Sequence, residues 1–154
     1  MKISLEKVKK LRTKTKVGVM ACRQALEANN GDLKKAEEWL RKKGLQSADK
    51  RAHRETASGL IEAYTHAEGK IVAMIELCCE TDFVARTEDF KKLAHELAMQ
   101  VAALNPKDTQ ELLSQPWIRD ESKKIEELVK ELSVKTGENV KIGRFSRLEL
   151  GKEA

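Results

Sequence analysis

The sequence predicts an α+β protein: a three-helix bundle, then a small antiparallel sheet packed with helices in the order β-β-α-α-β. Three observations carry that expectation. Apolar residues recur at helical spacing in three short runs before residue 45, they alternate with period two on either side of Ala67-Glu68-Gly69, and the charge balance breaks near residue 54. Of a net charge of +5, residues 1–54 carry +10, residues 55–103 carry −5 and residues 104–154 carry 0. The expected organisation is a helical module over 1–45, a helical or extended connector over 46–57, and an α+β core and dimerisation domain over 58–154.

In the first module Ser4 caps a short helix on which Leu5, Val8 and Leu11 share a face. Thr15-Lys16-Val17-Gly18 breaks the period. Met20, Cys22, Ala25 and Leu26 then resume a buried stripe that Asn29-Asn30-Gly31 stops. Asp32 caps a third helix bearing Leu33, Ala36, Trp39 and Leu40, expected to end at Gly44. From Leu45 to Ser58 the chain is polar and basic and holds no proline.

Two strands follow, Leu60 to His66 and Lys70 to Glu80, joined as a hairpin. In the second, Ile71, Ala73, Ile75, Leu77 and Cys79 share one face. Val72 and Met74 on the other face imply that both are covered there, by a helix or by another subunit. A helix from about Glu88 to Ala103 carries Phe90, Leu93, Ala94, Leu97 and Val101 on one stripe and ends before Asn105-Pro106. A loop through Gln115-Pro116-Trp117 leads to Asp120, which caps a last helix bearing Ile125, Leu128, Val129 and Leu132 and ending at Gly137. In the closing strand, Val140 to Leu150, the parity of Val140 and Ile142 opposes that of Phe145, so a bulge is expected near Gly143. Three strands leave sheet edges to protect, which a homodimer would cover.

The chemistry of the sequence is not that of an enzyme. GxSxG, HExxH, GxGxxG and GxxxxGK[ST] motifs are all missing, and the glycines stand singly at element ends, turns or the suspected bulge. Cys22, Cys78 and Cys79 are odd in number and suit neither a disulfide framework nor a zinc pair, so reduced thiols are expected. His53, His66 and His95 lack ligand spacing, and no metal or cofactor is expected. The longest apolar run, Ile71 to Ile75, is too short to span a membrane, and Met1 to Val8 does not read as a signal peptide, so a cytoplasmic protein without membrane contact is expected. Three basic helices could form a nucleic-acid module, but the charges belong to different helices and the module holds one aromatic, Trp39, at a core-like position. A protein partner is the expected reader of that charge.

The most informative local feature is Glu80-Thr81-Asp82-Phe83-Val84-Ala85-Arg86, between a hydrophobic strand and the next helix. Two readings stand. Thr81 or Asp82 caps a helix while Phe83 tucks into the core beside Phe90, or Phe83 projects as an apolar anchor with Asp82 as a charged probe beside it.

These residues resemble the bacterial elongation factor Ts family. The match rests on Glu76-Leu77 with Glu80-Thr81-Asp82-Phe83-Val84-Ala85-Arg86, on Gly137-Glu138-Asn139 with Arg144-Phe145, and on Val8-Lys9-Lys10-Leu11-Arg12, Gly18, Met20, Cys22, Ala25-Leu26, Asn30-Gly31-Asp32 and Ala36 in the first module. The resemblance implies a ubiquitin-associated-like module over 1–45. It implies a non-catalytic guanine nucleotide exchange factor that binds elongation factor Tu, GDP-bound or nucleotide-free, displaces magnesium and promotes exchange of GDP for GTP in translation elongation. Carried over, Thr81, Asp82, Phe83 and Val84 are the magnesium-dislodging segment, and Arg12, Val19 and Met20, with Arg23 nearby, are the N-terminal docking positions. Lys16 and Val19 depart from the family's Gly-Ala-Gly-Met-Met-Asp pattern, here Lys16-Val17-Gly18-Val19-Met20-Ala21. Long members carry two related core subdomains and a coiled coil. One core copy here implies that two chains pair to rebuild the platform.

Overall fold

The structure is a computed structural model that describes residues 3–153. It divides into two compact units, one ending at Lys50 and one beginning at Arg51, each with its own apolar core.

The first unit holds α1 (Leu5–Thr15), α2 (Val19–Ala28) and α3 (Leu33–Arg51). Ser4 Oγ accepts a hydrogen bond from the Lys7 N–H and caps α1. At the other end Lys16 turns left-handed with φ 59°, and its N–H donates to the Arg12 carbonyl. Asp32 accepts from the N–H groups of Lys35 and Lys34, bonds that hold its carboxyl below the usual range. Val8, Leu11, Cys22, Ala25, Leu26, Ala36 and Leu40 form the core. Contrary to the sequence expectation, α3 does not stop at Gly44 but continues to Arg51. One helical glycine costs only about 1 kcal/mol, and Leu45, Gln46, Ala48 and Lys50 around it are good helix formers.

In the second unit β1 (Ser58–His66), β2 (Ile71–Cys79) and β5 (Lys141–Glu149) form an antiparallel sheet in the order β1-β2-β5. Between β2 and β5 the chain runs through α4 (Asp82–Ala85), α5 (Glu88–Leu104), α6 (Thr109–Ser114), β3 (Pro116–Trp117), β4 (Asp120–Lys124) and α7 (Ile125–Thr136). Ala67, Glu68 and Gly69 all take positive φ, which turns the β1–β2 hairpin tightly. Gly59 lies so close to β2 that a Cβ there would collide with the Leu77 carbonyl oxygen. Ile75 pairs with Phe145 and Leu77 with Ile142, so Gly143 and Arg144 together oppose Glu76 in the bulge expected near Gly143.

One face of the sheet packs on helices. Ala73, Ile75, Leu77 and Cys79 of β2 meet Phe90, Leu97 and Val101 of α5, with Leu112, Ile125 and Leu132 completing the core. The other face is open. Ile61, Met74 and Leu148 on it are 65%, 44% and 64% exposed, so the cover expected over both faces at Val72 to Met74 is not supplied by the described residues.

Two further expectations are corrected. Asp120 caps no helix: its carboxylate accepts from the N–H and Oγ of Ser122 at the start of β4, and α7 begins only at Ile125. The expected loop from Asn105 to Trp117 contains α6, whose cap Asp108 accepts from the Glu111 N–H at 2.8 Å. A six-residue helix held by its cap leaves too short an apolar pattern to read. Among the described residues, no helix is long and apolar enough to cross a membrane.

Candidate functional site

The site is built where β2 ends. Beyond Cys79 the chain bends at Glu80 and is extended again at Thr81, which caps α4: its Oγ1 accepts from the Val84 N–H at 3.4 Å. The same hydroxyl donates to Glu138 Oε1 at 2.6 Å. Glu138 Oε2 accepts from the Glu80 and Thr81 N–H groups at 3.0 and 3.1 Å. Glu80 returns the contact, its Oε1 accepting from the Asn139 N–H at 2.7 Å. Arg54 lies 3.6 Å from that oxygen and offsets the two neighbouring carboxylates. Asn139 Nδ2 donates to the carbonyls of Ala52 and Arg54, at 3.3 and 2.8 Å. Three chain segments thus meet around the residues that precede α4.

Glu138 itself is presented by the end of α7. Gly137 takes φ 73° as the C-cap, its N–H bonded to the Ser133 carbonyl, a conformation that disfavours any residue with a Cβ. Ser133 Oγ donates to the Glu138 carbonyl and holds the turn down.

Alpha helix α4 then sorts its side chains. Ala85 is buried and Val84 packs partly against the core, while Asp82 and Phe83 face solvent. Phe83 is 83% exposed, whereas Phe90, seven positions on, is fully buried. Of the two readings of this segment, the cap at Thr81 is present but the tucked Phe83 is not. Asp82 is anchored without being hidden: Ser58 Oγ donates to its Oδ1 at 2.6 Å and Arg86 Nη2 lies 3.6 Å from its Oδ2. Thr87 joins the next helix, accepting from the Phe90 N–H and donating to the Val84 carbonyl.

The thiols nearby are structural. Burial first, and then the Glu76 charge, pushes the Cys78 thiol up; burial and Glu138 do the same to Cys79, whose Sγ donates to the Thr81 carbonyl at 3.1 Å. Among the described residues no His, Cys, Asp and Glu cluster is arranged to hold a metal ion.

In the first unit, Arg12 stands exposed on α1, and Val19 and Met20, 45% and 67% exposed, open α2, so Met20 is not part of the buried stripe expected with Cys22, Ala25 and Leu26. Arg23 is also exposed, and its Nε reaches Glu27 at 2.9 Å one turn along. The unit's one aromatic, Trp39, packs partly against the core and carries Lys43 Nζ 4.3 Å from its ring centroid.

Residue-by-residue reading of the sequence did not single out Glu138, Asn139 or Ser58 as site residues. Glu138 and Thr81 lie 57 positions apart, and no local pattern links them. The signal that could have found them is the Gly137-Glu138-Asn139 triplet, in which a helix-ending glycine directly precedes an acid and an amide.

The family model described as Elongation factor TS matches residues 80–154. Among curated relatives, Elongation factor Ts of Thermotoga neapolitana is 41% identical over 196 aligned positions, covering 99% of this chain and 100% of the relative. Elongation factor Ts of Nitratidesulfovibrio vulgaris is 40% identical over 198 positions, covering 99% of each. Elongation factor Ts of Thermosynechococcus vestitus is 40% identical over 196, covering 97% of this chain and 66% of the relative. With 154 residues set against 196 aligned positions, at least 42 positions of the Thermotoga neapolitana relative have no counterpart here.

Proposed function

This chain belongs to the elongation factor Ts family, and we propose that it is a guanine nucleotide exchange factor that binds elongation factor Tu loaded with GDP, displaces the magnesium ion and speeds release of GDP for GTP. The observation that carries the reading is the placement of Phe83: a large apolar side chain, 83% exposed, on a helix turn fixed to the end of a buried strand. Exposing such a ring has no use in the fold, whereas aromatic anchors flanked by polar groups dominate interface energetics.

The mechanism needs no catalytic group. An exchange factor works by binding the nucleotide-free or magnesium-free GTPase more tightly than the loaded one, and linkage makes the antagonism reciprocal. Phe83 enters between elements of the GTPase domain, Asp82 brings a negative charge beside it, and Thr81 and Val84 root the turn. The displaced magnesium ion then no longer holds the phosphates. Each tenfold of weakened GDP affinity requires about 1.4 kcal/mol of differential contact.

Arg12, Val19 and Met20, with Arg23, dock the first unit on the same GTPase. That unit's +8 charge serves a protein surface rather than nucleic acid, since its single aromatic is occupied by the core and Lys43 and offers no free face for base stacking. The chain acts in the cytoplasm, where the partner works. Stopped-flow release of a fluorescent GDP from elongation factor Tu tests the function: the chain accelerates release in a saturable way, and an unchanged rate contradicts it.

We further propose a homodimer through the open sheet face. Met74 pairs with Ala63 and Ser146, which makes Ile61 and Leu148 its diagonal neighbours, so the three form an apolar diagonal across the sheet. A second copy buries that diagonal and rebuilds a two-subdomain platform. Sedimentation equilibrium at micromolar concentration reads a dimer; monomer alone rejects it.

A further inference from the structure

We propose that Glu138 is a positioning residue for exchange: its carboxylate, bonded to residues 80 and 81, sets the direction in which Phe83 leaves the sheet. The proposal rests on the wedge reading above and concerns what makes that wedge stiff.

Four residues cannot hold a helical direction by themselves, because nucleating a turn costs more than its few hydrogen bonds return. The direction of α4 must therefore be imposed by its neighbours. Val84 and Ala85 pack on one side but leave rotation about the strand end open. The Ser58 hydroxyl restrains it through one bond to Asp82, and the carboxylate of Glu138 closes it, taking three donors from two consecutive residues: the Glu80 N–H, the Thr81 N–H and the Thr81 hydroxyl. Hydrogen bonds to an ionised acceptor are about twice as strong as neutral ones, and three on one group leave it little freedom.

Thr81 is the hinge of the arrangement. Its hydroxyl hydrogen is committed to Glu138, which turns the oxygen lone pairs towards the Val84 N–H of α4. Glu138 thus orients the cap, and the cap orients the turn that bears Phe83. Glu80 bonds the Asn139 N–H in return, and Asn139 grips the carbonyls of residues 52 and 54, so the carboxylate is itself anchored from behind. When Phe83 is pressed into a partner, the load passes through residues 80 and 81 into β2 and the α7–β5 turn. Without the carboxylate, the same load rotates α4.

The test uses the full chain, with release of fluorescent GDP from elongation factor Tu measured to saturation and amide hydrogen exchange measured on the free chain. Glu138→Ala is expected to lower the saturating rate about tenfold, ~1.4 kcal/mol, with little change in the half-saturating concentration. Exchange of the Glu80 and Thr81 amides is expected to quicken about tenfold or more. Glu138→Gln keeps a carbonyl for the two N–H groups but offers Thr81 a donor in place of an acceptor, so a smaller loss of about threefold is expected. In a Phe83→Ala background, Glu138→Ala is expected to cost nothing further, because the wedge it aims is gone.

Should Glu138→Ala fail to fold by circular dichroism, the graded loss of saturating rate in Glu138→Gln carries the test. Unchanged amide exchange in Glu138→Ala, or an unchanged saturating rate where Phe83→Ala does lower it, overturns the proposal alone. A Glu138→Ala loss that persists undiminished beside Phe83→Ala also overturns it. An unchanged rate in Phe83→Ala overturns the wedge and the proposal together.

Discussion

Met20 and Phe83 are each the second residue of a helix, and each stands in solvent, yet the two helices are held in different ways. Met20 belongs to α2, ten residues long, which opens at Gly18 without a side-chain cap and is fixed by Cys22, Ala25 and Leu26 buried beneath it. Phe83 belongs to α4, four residues long, fixed by the Thr81 cap, the Glu138 carboxylate and Ser58 on Asp82. Packing alone suits a surface that only has to bind. Directional hydrogen bonds suit one that must bind and keep its angle under load, since they resist rotation where an apolar contact slides. On this account the first unit supplies affinity and the strand end supplies the work of exchange.

The largest expected effect contrasts two phenylalanines. Phe90→Ala removes a fully buried ring and is expected to lower unfolding free energy by about 3–5 kcal/mol in urea titration, whereas Phe83→Ala changes it by less than about 0.5 kcal/mol. Comparable losses would mean that Phe83 is core in solution. Next comes the open face of the sheet. Ile61→Glu with Leu148→Glu is expected to raise the self-dissociation constant at least about a hundredfold, ~2.7 kcal/mol, by sedimentation. An unaltered constant moves the dimer elsewhere.

Phe83→Ala is expected to lower the saturating rate of GDP release about thirtyfold, the scale of a truncated anchor worth ~2 kcal/mol. Met20→Ala is expected to raise the half-saturating concentration about fivefold, ~1 kcal/mol, while the saturating rate holds. The smallest effect belongs to the thiols. Burial raises Cys78 and Cys79, so near neutral pH the native chain reacts with a thiol reagent more slowly than the unfolded chain, and the rate climbs with pH above the ordinary thiol range.

Much of this architecture is legible from local pattern. The Ser4 cap, the break before Gly18, the Ala67-Glu68-Gly69 turn and the bulge at Gly143 all follow from residues within a few positions of one another. Local pattern misleads where its signal is outweighed or too short. Gly44 was overridden by the helix formers around it, Asp120 spent its carboxylate on Ser122, and α6 offered too little periodicity to read. The site divides in the same way. Phe83 beside Asp82 was conspicuous in the sequence, but two readings of it stayed open, because exposure depends on how α4 packs. Glu138 was invisible as a site residue: its role exists only once the α7–β5 turn meets the end of β2, across a separation of 57 residues.

The division of labour between the two regions is tested most directly by one pair of curves, release of fluorescent GDP from elongation factor Tu against concentration of Phe83→Ala and of Met20→Ala. The expected result is a lowered plateau at an unchanged midpoint for Phe83→Ala, and a shifted midpoint at an unchanged plateau for Met20→Ala. A full plateau reached by Phe83→Ala contradicts the wedge.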